Sequence, residues 1–265
     1  MTEQILLVEP SGHAARNFQH VRATRVHTAD AIRAALRQTR SRALWIAPTG
    51  PALDLLCEAL TGRALSGQRL LALGHADAGR RQIMRACFRN VVSPDEGVQL
   101  LPIPELLEVL NAPDRADLLI GGTVALEDSA VVLIRGDLGR LVVPLQWFRP
   151  RPDGPGPDPL RFSIADHGQT VRLGEYEAAT AAVLYEFDEQ YRKRAKKRHL
   201  DSDTSLGGAL RRLRLQKELR QADFPGVTAK EIARIERGEI KRPHRRTLAT
   251  IAARLGVSVD QLASY

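Results

Sequence analysis

The chain has 265 residues, of which 43% are hydrophobic and 26% are charged, and its formal net charge is +8. A chain of this length can bury a sizeable core, and we expect two or three domains. No apolar run approaches the ~18–20 residues of a membrane-spanning helix, and the N-terminus lacks the layout of a signal peptide. Cys57 and Cys87 have no close-spaced partner, so we expect reduced thiols in a cytoplasmic protein rather than a disulfide framework or a zinc site.

The basic residues are concentrated near the C-terminus. Residues 1–112 carry 13 Lys and Arg against 10 Asp and Glu, and residues 113–191 carry 7 against 13. Residues 192–265 carry 19 against 8, a net charge of +11. This asymmetry predicts a positively charged surface that binds phosphate groups in the last part of the chain. For the basic stretch 192–198 alone, a solvated helix face is an alternative explanation.

Five short apolar segments in the first 112 residues alternate with stretches of helical spacing, such as residues 29–37. The predicted strands are residues 5–8, 23–27, 43–47, 70–73 and 90–92. Strands separated by helices favour a parallel sheet that is covered on both faces. The order and lengths of these elements resemble a response-regulator receiver domain of the flavodoxin-like type, and we assign residues 1–112 to a receiver-like α/β domain.

The resemblance does not extend to the chemistry of a receiver. The first strand is followed by a single acid, Glu9, and the third ends in residues 47–49, which contain no carboxylate. Strand five is followed by residues 93–94, Ser-Pro, where the receiver pattern has a lysine. Without a phosphoacceptor and a magnesium cluster, we expect a pseudo-receiver that serves dimerisation or senses a partner. Glu9, Ser11 and His13 mark the place of a ligand cleft, although Ser11 is also explained as a helix cap.

Residues 113–200 are predicted to form a small α+β domain. Two hairpins are expected, one from residues 130–134 and 140–144 and one from residues 161–165 and 169–173. A helix is expected from about residue 176 to residue 198, with a strongly basic end. This arrangement resembles a small bacterial domain of unknown function that occurs beside helix-turn-helix modules. Trp147 and Phe148 are interpreted as core aromatics, with a binding platform as the alternative.

No pattern of catalytic or metal-binding residues occurs in the sequence. The seven histidines are scattered and contain no pair at helical i,i+4 spacing. Gly121 and Gly122 are not followed by the Gly-Lys-Ser/Thr of a phosphate loop. We therefore expect a protein that is not an enzyme and that holds neither a cofactor nor a metal.

Residues 201–265 are predicted to form an all-α domain of five short amphipathic helices. The expected caps and breakers are Ser205, Thr228, Gly238, Pro243 and Ser258. Thr228 with Glu231, and Ser258 with Gln261, have the spacing of capping boxes. Residues 219–224 are expected to form a short second helix, which Pro225 ends.

Two strings in this segment, Ile-Ala-Arg-Ile-Glu-Arg-Gly at 232–238 and Leu-Gly-Val-Ser at 255–258, resemble the XRE family. This family has the lambda-repressor/Cro type of helix-turn-helix, and the resemblance covers about residues 205–263. It implies that the third helix of the domain is the recognition helix, which enters the major groove of double-stranded DNA. Between Phe224 and Val227 the chain has about three residues fewer than typical members, so the supporting second helix is expected to be short.

The resemblance also implies which residues contact DNA. The outer positions of the recognition helix, which would read bases, are Thr228, Ala229, Lys230, Ala233, Arg234 and Arg237. The positions that would contact phosphates are Gln221, Lys241, Arg242, His244, Arg245 and Arg246. Glu236 is interpreted as a structural residue of the helix packing.

These patterns predict a bacterial transcription regulator that binds operator DNA as a homodimer, with two recognition helices in successive major grooves. Two alternatives remain open. One is an antitoxin or adaptor that grips a protein partner through residues 1–190 and uses DNA only for autoregulation. The other is a regulator that senses a small ligand or nucleotide in the cleft near residues 9–13. For residues 205–263 alone, a repressor-like fold that serves protein contacts is an alternative explanation.

Overall fold

The computed structural model describes residues 4–10, 16–38, 43–60, 68–150 and 154–264. The chain divides into two compact units, Met1–Asp188 and Glu189–Tyr265. None of the helices in the described ranges combines the length and the apolar character of a membrane span.

The first unit contains a five-stranded parallel sheet. Its strands are β1 (Ile5–Val8), β2 (Thr24–Val26), β3 (Leu44–Ala47), β4 (Arg69–Ala72) and β5 (Asn90–Val92). The strand order is β2-β1-β3-β4-β5, which is the order of flavodoxin-like doubly wound sheets. The helices after β2, β3 and β4 are α1 (Ala29–Gln38), α2 (Gly50–Leu60) and α3 (Ala78–Cys87). All five predicted strands are confirmed to within one or two residues.

Both faces of this sheet are buried, as a parallel sheet requires. In β3, Leu44 and Ile46 join one hydrophobic cluster, whereas Trp45 and Ala47 join another. Successive side chains of a strand point to opposite faces, so the two clusters lie on opposite sides of the sheet. Helices α1, α2 and α3 pack on the side of Trp45.

Two antiparallel sheets follow in the chain. The four-stranded sheet has the order β6 (Gln99–Leu100), β7 (Leu119–Ala125), β8 (Ala130–Arg135) and β9 (Arg140–Pro144), and α4 (Ile103–Asn111) lies between β6 and β7 in the chain. The three-stranded sheet has the order β10 (Phe162–Ala165), β11 (Thr170–Leu173) and β12 (Tyr176–Ala179). Both predicted hairpins are confirmed, β8 with β9 and β10 with β11. Gly121 and Gly122 lie inside β7, a strand that the sequence analysis did not predict.

A single hydrophobic cluster joins the segments that were assigned to separate domains at residues 1–112 and 113–200. It contains Leu7 and Leu71 of the parallel sheet, Leu106 of α4, Val131 of β8 and Val171 of β11. In the structure these segments therefore share one core and form one compact unit, which ends at Asp188.

The prediction of one helix from about residue 176 to residue 198 is wrong. Residues 176–179 form β12, which pairs with β11, and two helices follow, α5 (Thr180–Phe187) and α6 (Glu189–Asp201). Sheet pairing overrides the helical preference of these residues, and the Thr180 hydroxyl donates to the carbonyl of Gly168 (2.9 Å). The chain leaves helical geometry at Asp188, where φ is −118° and ψ is 105°. The carboxylate of Asp188 forms an ion pair with Arg135.

Trp147 and Phe148 pack within the first unit. Their ring centroids are 5.1 Å apart, and the ring of Trp147 lies 5.6 Å from that of Phe187. Phe148 is buried and also contacts the ring of Tyr176 edge to face. The interpretation of these two residues as core aromatics is confirmed.

Gly168 occupies a tight position between β10 and β11, and its replacement tests the packing of the first unit. Its φ is +84°, and a Cβ there would lie 2.2 Å from the carbonyl oxygen of Leu119. We expect Gly168→Ala to lower the free energy of unfolding by about 3 kcal/mol, through left-handed strain and backbone overlap. Urea titration followed by tryptophan fluorescence measures this unit, because Trp45 and Trp147 both lie in it. Gly156→Ala is the matched control, because a Cβ at Gly156 meets open space, and equal midpoints for the two variants would contradict the prediction.

The second unit is helical. It contains α6, α7 (Leu206–Gln216), α8 (Ala229–Glu236), α9 (Arg245–Leu255) and α10 (Val259–Ser264). The apolar faces of α7 to α10 converge on a single core. Its buried members are Leu210, Leu213, Phe224, Val227, Ile232, Ile235, Ile251, Ala252, Leu255 and Leu262.

The predicted second helix at residues 219–224 is wrong, so four helices rather than five follow residue 204 in the described chain. Residues 217–228 form turns, bends and irregular backbone. Glu218 (φ +55°) and Gly226 (φ +79°) have left-handed backbones, and Pro225 has no N–H for a helical hydrogen bond. The Asp223 carboxylate accepts from the N–H of Arg220 (2.7 Å), and the buried Phe224 anchors this loop in the core.

Candidate nucleic-acid interface

Helix α8 is held at both ends by the signals that the sequence contains. The Thr228 hydroxyl accepts a hydrogen bond from the N–H of Glu231 (3.2 Å), which satisfies one unpaired donor of the first turn. Gly238 has the left-handed φ of +71° that ends the helix. Ile232 and Ile235 are buried in the core, so the opposite face of α8 is turned outwards.

The predicted base-reading positions lie on that outward face. Lys230, Ala233, Arg234 and Arg237 have i, i+3, i+4 and i+7 spacing, which puts them on one side of a helix. Thr228, Ala229, Lys230, Arg234 and Arg237 are exposed, and Ala233 is half-buried. The structure therefore brings three cationic side chains and two small apolar ones together on a single solvent-facing surface.

Glu239 lies against two of these cations, and the sequence analysis did not identify it. The Nε of Arg234 is 3.2 Å from its Oε2, and the Nε of Arg237 is 2.7 Å from its Oε1. The hydrogen bond from Arg237 lowers the pKa of the Glu239 carboxyl below its ordinary value, so the group is ionised at neutral pH. Glu239 follows the helix, five residues after Arg234, and no helical spacing rule connects the two.

The predicted phosphate-contacting residues divide into two groups. Lys241, Arg242, His244, Arg245 and Arg246 are exposed in the segment that leaves α8 and in the first turn of α9. Gln221 is instead half-buried, and its side-chain amide donates to Oε2 of Glu236 (2.7 Å). Its role toward phosphate stays a prediction, and the structure gives it a partner within the protein.

Glu236 and Arg214 form a buried ion pair between α8 and α7. The Nε of Arg214 lies 2.6 Å from Oε1 of Glu236, and the Nη2 of Arg214 lies 3.1 Å from Oε2. The same guanidinium donates to the carbonyl of Leu219 (2.8 Å). The pair therefore ties α8 to α7 and to the loop that stands in place of a second helix, as expected of a structural Glu236.

Residues 205–264 match the family model of a helix-turn-helix domain. The match covers 60 of the 265 residues, from the cap of α7 to the end of α10. Neither the curated proteins nor the solved structures contain a match to this chain. Helix-turn-helix domains place a recognition helix in the major groove of DNA, so this domain indicates a DNA-binding regulator.

Helix α6 precedes the helix-turn-helix domain and has a dense basic surface. Its residues 192–198 contain six Lys and Arg, most of them exposed. Lys193 pairs with Glu189 (2.8 Å), and the guanidinium of Arg198 lies 5.5 Å from the ring centre of Tyr191. A groove of about 640 Å³ is lined by the end of α6 and by Arg211 and Arg237 of the helix-turn-helix domain. Asp203, Leu200 and Leu215 also line this groove, so its lining is mixed in charge and polarity.

The ligand cleft predicted in the first unit has one described member, Glu9. Its carboxylate is 2.7 Å from a guanidinium nitrogen of Arg25, and its side chain is buried. Ser11 and His13 lie outside the described residues, so the cleft stays a prediction. Within the described ranges, no group of three or more His, Cys, Asp or Glu side chains is placed to hold a metal ion.

Proposed function

We propose that the protein is a sequence-specific transcriptional regulator that binds operator DNA through the outward face of α8. The observation that carries this proposal is the cationic face of a capped, core-anchored helix within a matched helix-turn-helix domain. Arginine and lysine donate to O6 and N7 of guanine, the commonest specific contact in the major groove. Ala229 and Ala233 are small enough for α8 to approach the bases closely.

Phosphate contacts by the segment after α8 would supply the sequence-independent part of the affinity. Arg245 and Arg246 occupy the first turn of α9, the end of a helix where the macrodipole disfavours positive charge. Their charge therefore does not stabilise the helix, and it supports a role toward an external anion. Each such contact releases counterions and makes binding depend on salt concentration.

The proposal includes a homodimer. One recognition helix reads few base pairs, and two-fold related domains on half-sites ~34 Å apart would double the sequence that is read. The first unit, residues 1–188, would supply the dimerisation or the response to a signal, and the protein would act without catalysis.

Fluorescence anisotropy of the full-length protein tests this function. The probes are duplexes from the region upstream of its own gene and scrambled duplexes of equal composition, each at several salt concentrations. Tight binding that prefers the upstream duplex and falls steeply with salt supports the regulator. Weak binding without sequence preference contradicts it.

An adaptor that binds a protein partner through residues 1–190 is a second candidate, because apolar side chains are exposed in the four-stranded sheet and in the turn after β7. Val142 of the edge strand β9 is 59% exposed, and Leu126 after β7 is 54% exposed. Light scattering after size exclusion separates the two functions. A homodimer indicates that a second copy covers apolar surface, whereas a monomer that co-purifies with one protein at equal stoichiometry favours the adaptor.

A further inference from the structure

Glu239 is placed to control two arginines of the recognition helix at once. Its two carboxylate oxygens accept from different guanidinium groups, Oε1 from Arg237 and Oε2 from Arg234. All three side chains are about half exposed, so the cluster lies on the surface that would face DNA.

Both arginines use the Nε–H for this contact. The guanidinium group has five N–H donors in a rigid fork, so the terminal Nη groups of each arginine remain for another acceptor. An arginine that is held at Nε by a carboxylate has fewer orientations of its long side chain, and less entropy is lost when the fork meets a base edge.

We propose that Glu239 is a positioning residue for sequence specificity, which orients Arg234 and Arg237 toward two guanines in the major groove. This inference rests on the proposed function, and it adds that each half-site contains two guanines within reach of one turn of helix. The carboxylate also repels DNA phosphates, which lowers the affinity for every sequence. Glu239 therefore lowers the affinity for all DNA, but it raises the ratio of the affinity for operator DNA to the affinity for other DNA.

The test compares Glu239→Gln and Glu239→Ala with Glu231→Gln in the full-length protein. Glu231 is the matched control, because it is a carboxylate of α8, the helix that carries Arg234, and it accepts from the Thr247 hydroxyl (3.4 Å) rather than from an arginine. The probes are the duplex that the wild-type protein selects from a random-sequence library and a scrambled version of it. The measurements are both dissociation constants by anisotropy and the thermal midpoint by circular dichroism.

We expect the Glu239 variants to lose about tenfold in the affinity ratio between the two duplexes, since each bidentate arginine–guanine contact contributes discrimination on the order of tenfold. Their affinity for scrambled DNA should rise, and their thermal midpoint should stay at the wild-type value. The Glu231 variant should bind scrambled DNA more tightly and keep the wild-type affinity ratio, because it removes a negative charge without releasing Arg234 or Arg237.

Two results overturn the inference while the proposed function stands. One is a Glu239→Gln protein that keeps the wild-type affinity ratio. The other is a Glu231→Gln protein whose affinity ratio falls as far as that of Glu239→Gln. A wild-type protein that selects no sequence from the library overturns the proposed function, and the inference with it. If Glu239→Ala changes the thermal midpoint, the affinity ratio of the isosteric Glu239→Gln variant is used to test the inference instead.

Discussion

Replacement of Glu236 by alanine is expected to lower the free energy of unfolding of the helix-turn-helix domain by about 3–5 kcal/mol, the cost of leaving a buried charge unpaired. The side chains of Arg214 and Glu236 are 11% and 5% exposed. Without the carboxylate, the Arg214 guanidinium keeps its contact to Leu219 but loses both charge-assisted hydrogen bonds. Gln221 loses its acceptor as well.

The two units can be followed separately in one melting experiment. Trp45 and Trp147 both lie in residues 1–188, so their fluorescence reports the first unit, whereas circular dichroism also reports the helices of the second. We expect Glu236→Ala to lose helical signal at a lower temperature while the tryptophan transition stays in place. A paired replacement of Arg214 by Met and Glu236 by Leu should recover most of the loss, because it removes both charges together. A Glu236→Ala protein that melts like the wild type would show that the ion pair contributes little.

Much of the fold is predictable from the sequence where local pattern and tertiary structure agree. The strands of the parallel sheet are short apolar runs between helical stretches, and α8 has a Thr228 cap, an apolar face and a terminal Gly238. The failures occur where tertiary contacts override local preference. Residues 176–179 read as the start of a helix, yet they form a strand because β11 offers them a partner. Residues 219–224 have helical spacing, and the turns on either side of them remove the second helix.

The sequence predicts which side chains of the candidate site are exposed. It does not predict which side chains they contact. Helical periodicity separates the buried Ile232 from the exposed Arg234, because it depends on the backbone alone. The contacts of Gln221 and Glu239 depend on side-chain orientations and on loops between helices, which have no periodic signal. The sequence pattern therefore favours a phosphate contact for Gln221 and gives no sign of its contact to Glu236.

The largest effects on DNA binding are expected from replacing Arg234 and Arg245. The first replacement should lower the sequence preference, and the second should lower the affinity for every sequence. Arg234→Ala should lower the affinity ratio between the selected duplex and its scrambled form about 10- to 100-fold, since a bidentate contact to guanine contributes ~1–3 kcal/mol of discrimination. Arg245→Ala should weaken binding to both duplexes alike and reduce the slope of log affinity against log salt by about one. Titrations at four salt concentrations measure the ratio and the slope in the same series.

Arg234→Lys separates the charge of this side chain from its geometry. Lysine keeps the positive charge, so the salt slope should stay at the wild-type value, but its ammonium lacks the planar fork that pairs with O6 and N7 of guanine. The affinity ratio should therefore fall, but less far than in Arg234→Ala, because a lysine can still donate to guanine. If Arg234→Lys keeps the wild-type ratio, a positive charge at this position is sufficient, and the planar geometry of the guanidinium does not contribute to base reading. If Arg234→Ala and Arg245→Ala change both duplexes equally, the division between base-reading and phosphate-contacting residues is wrong.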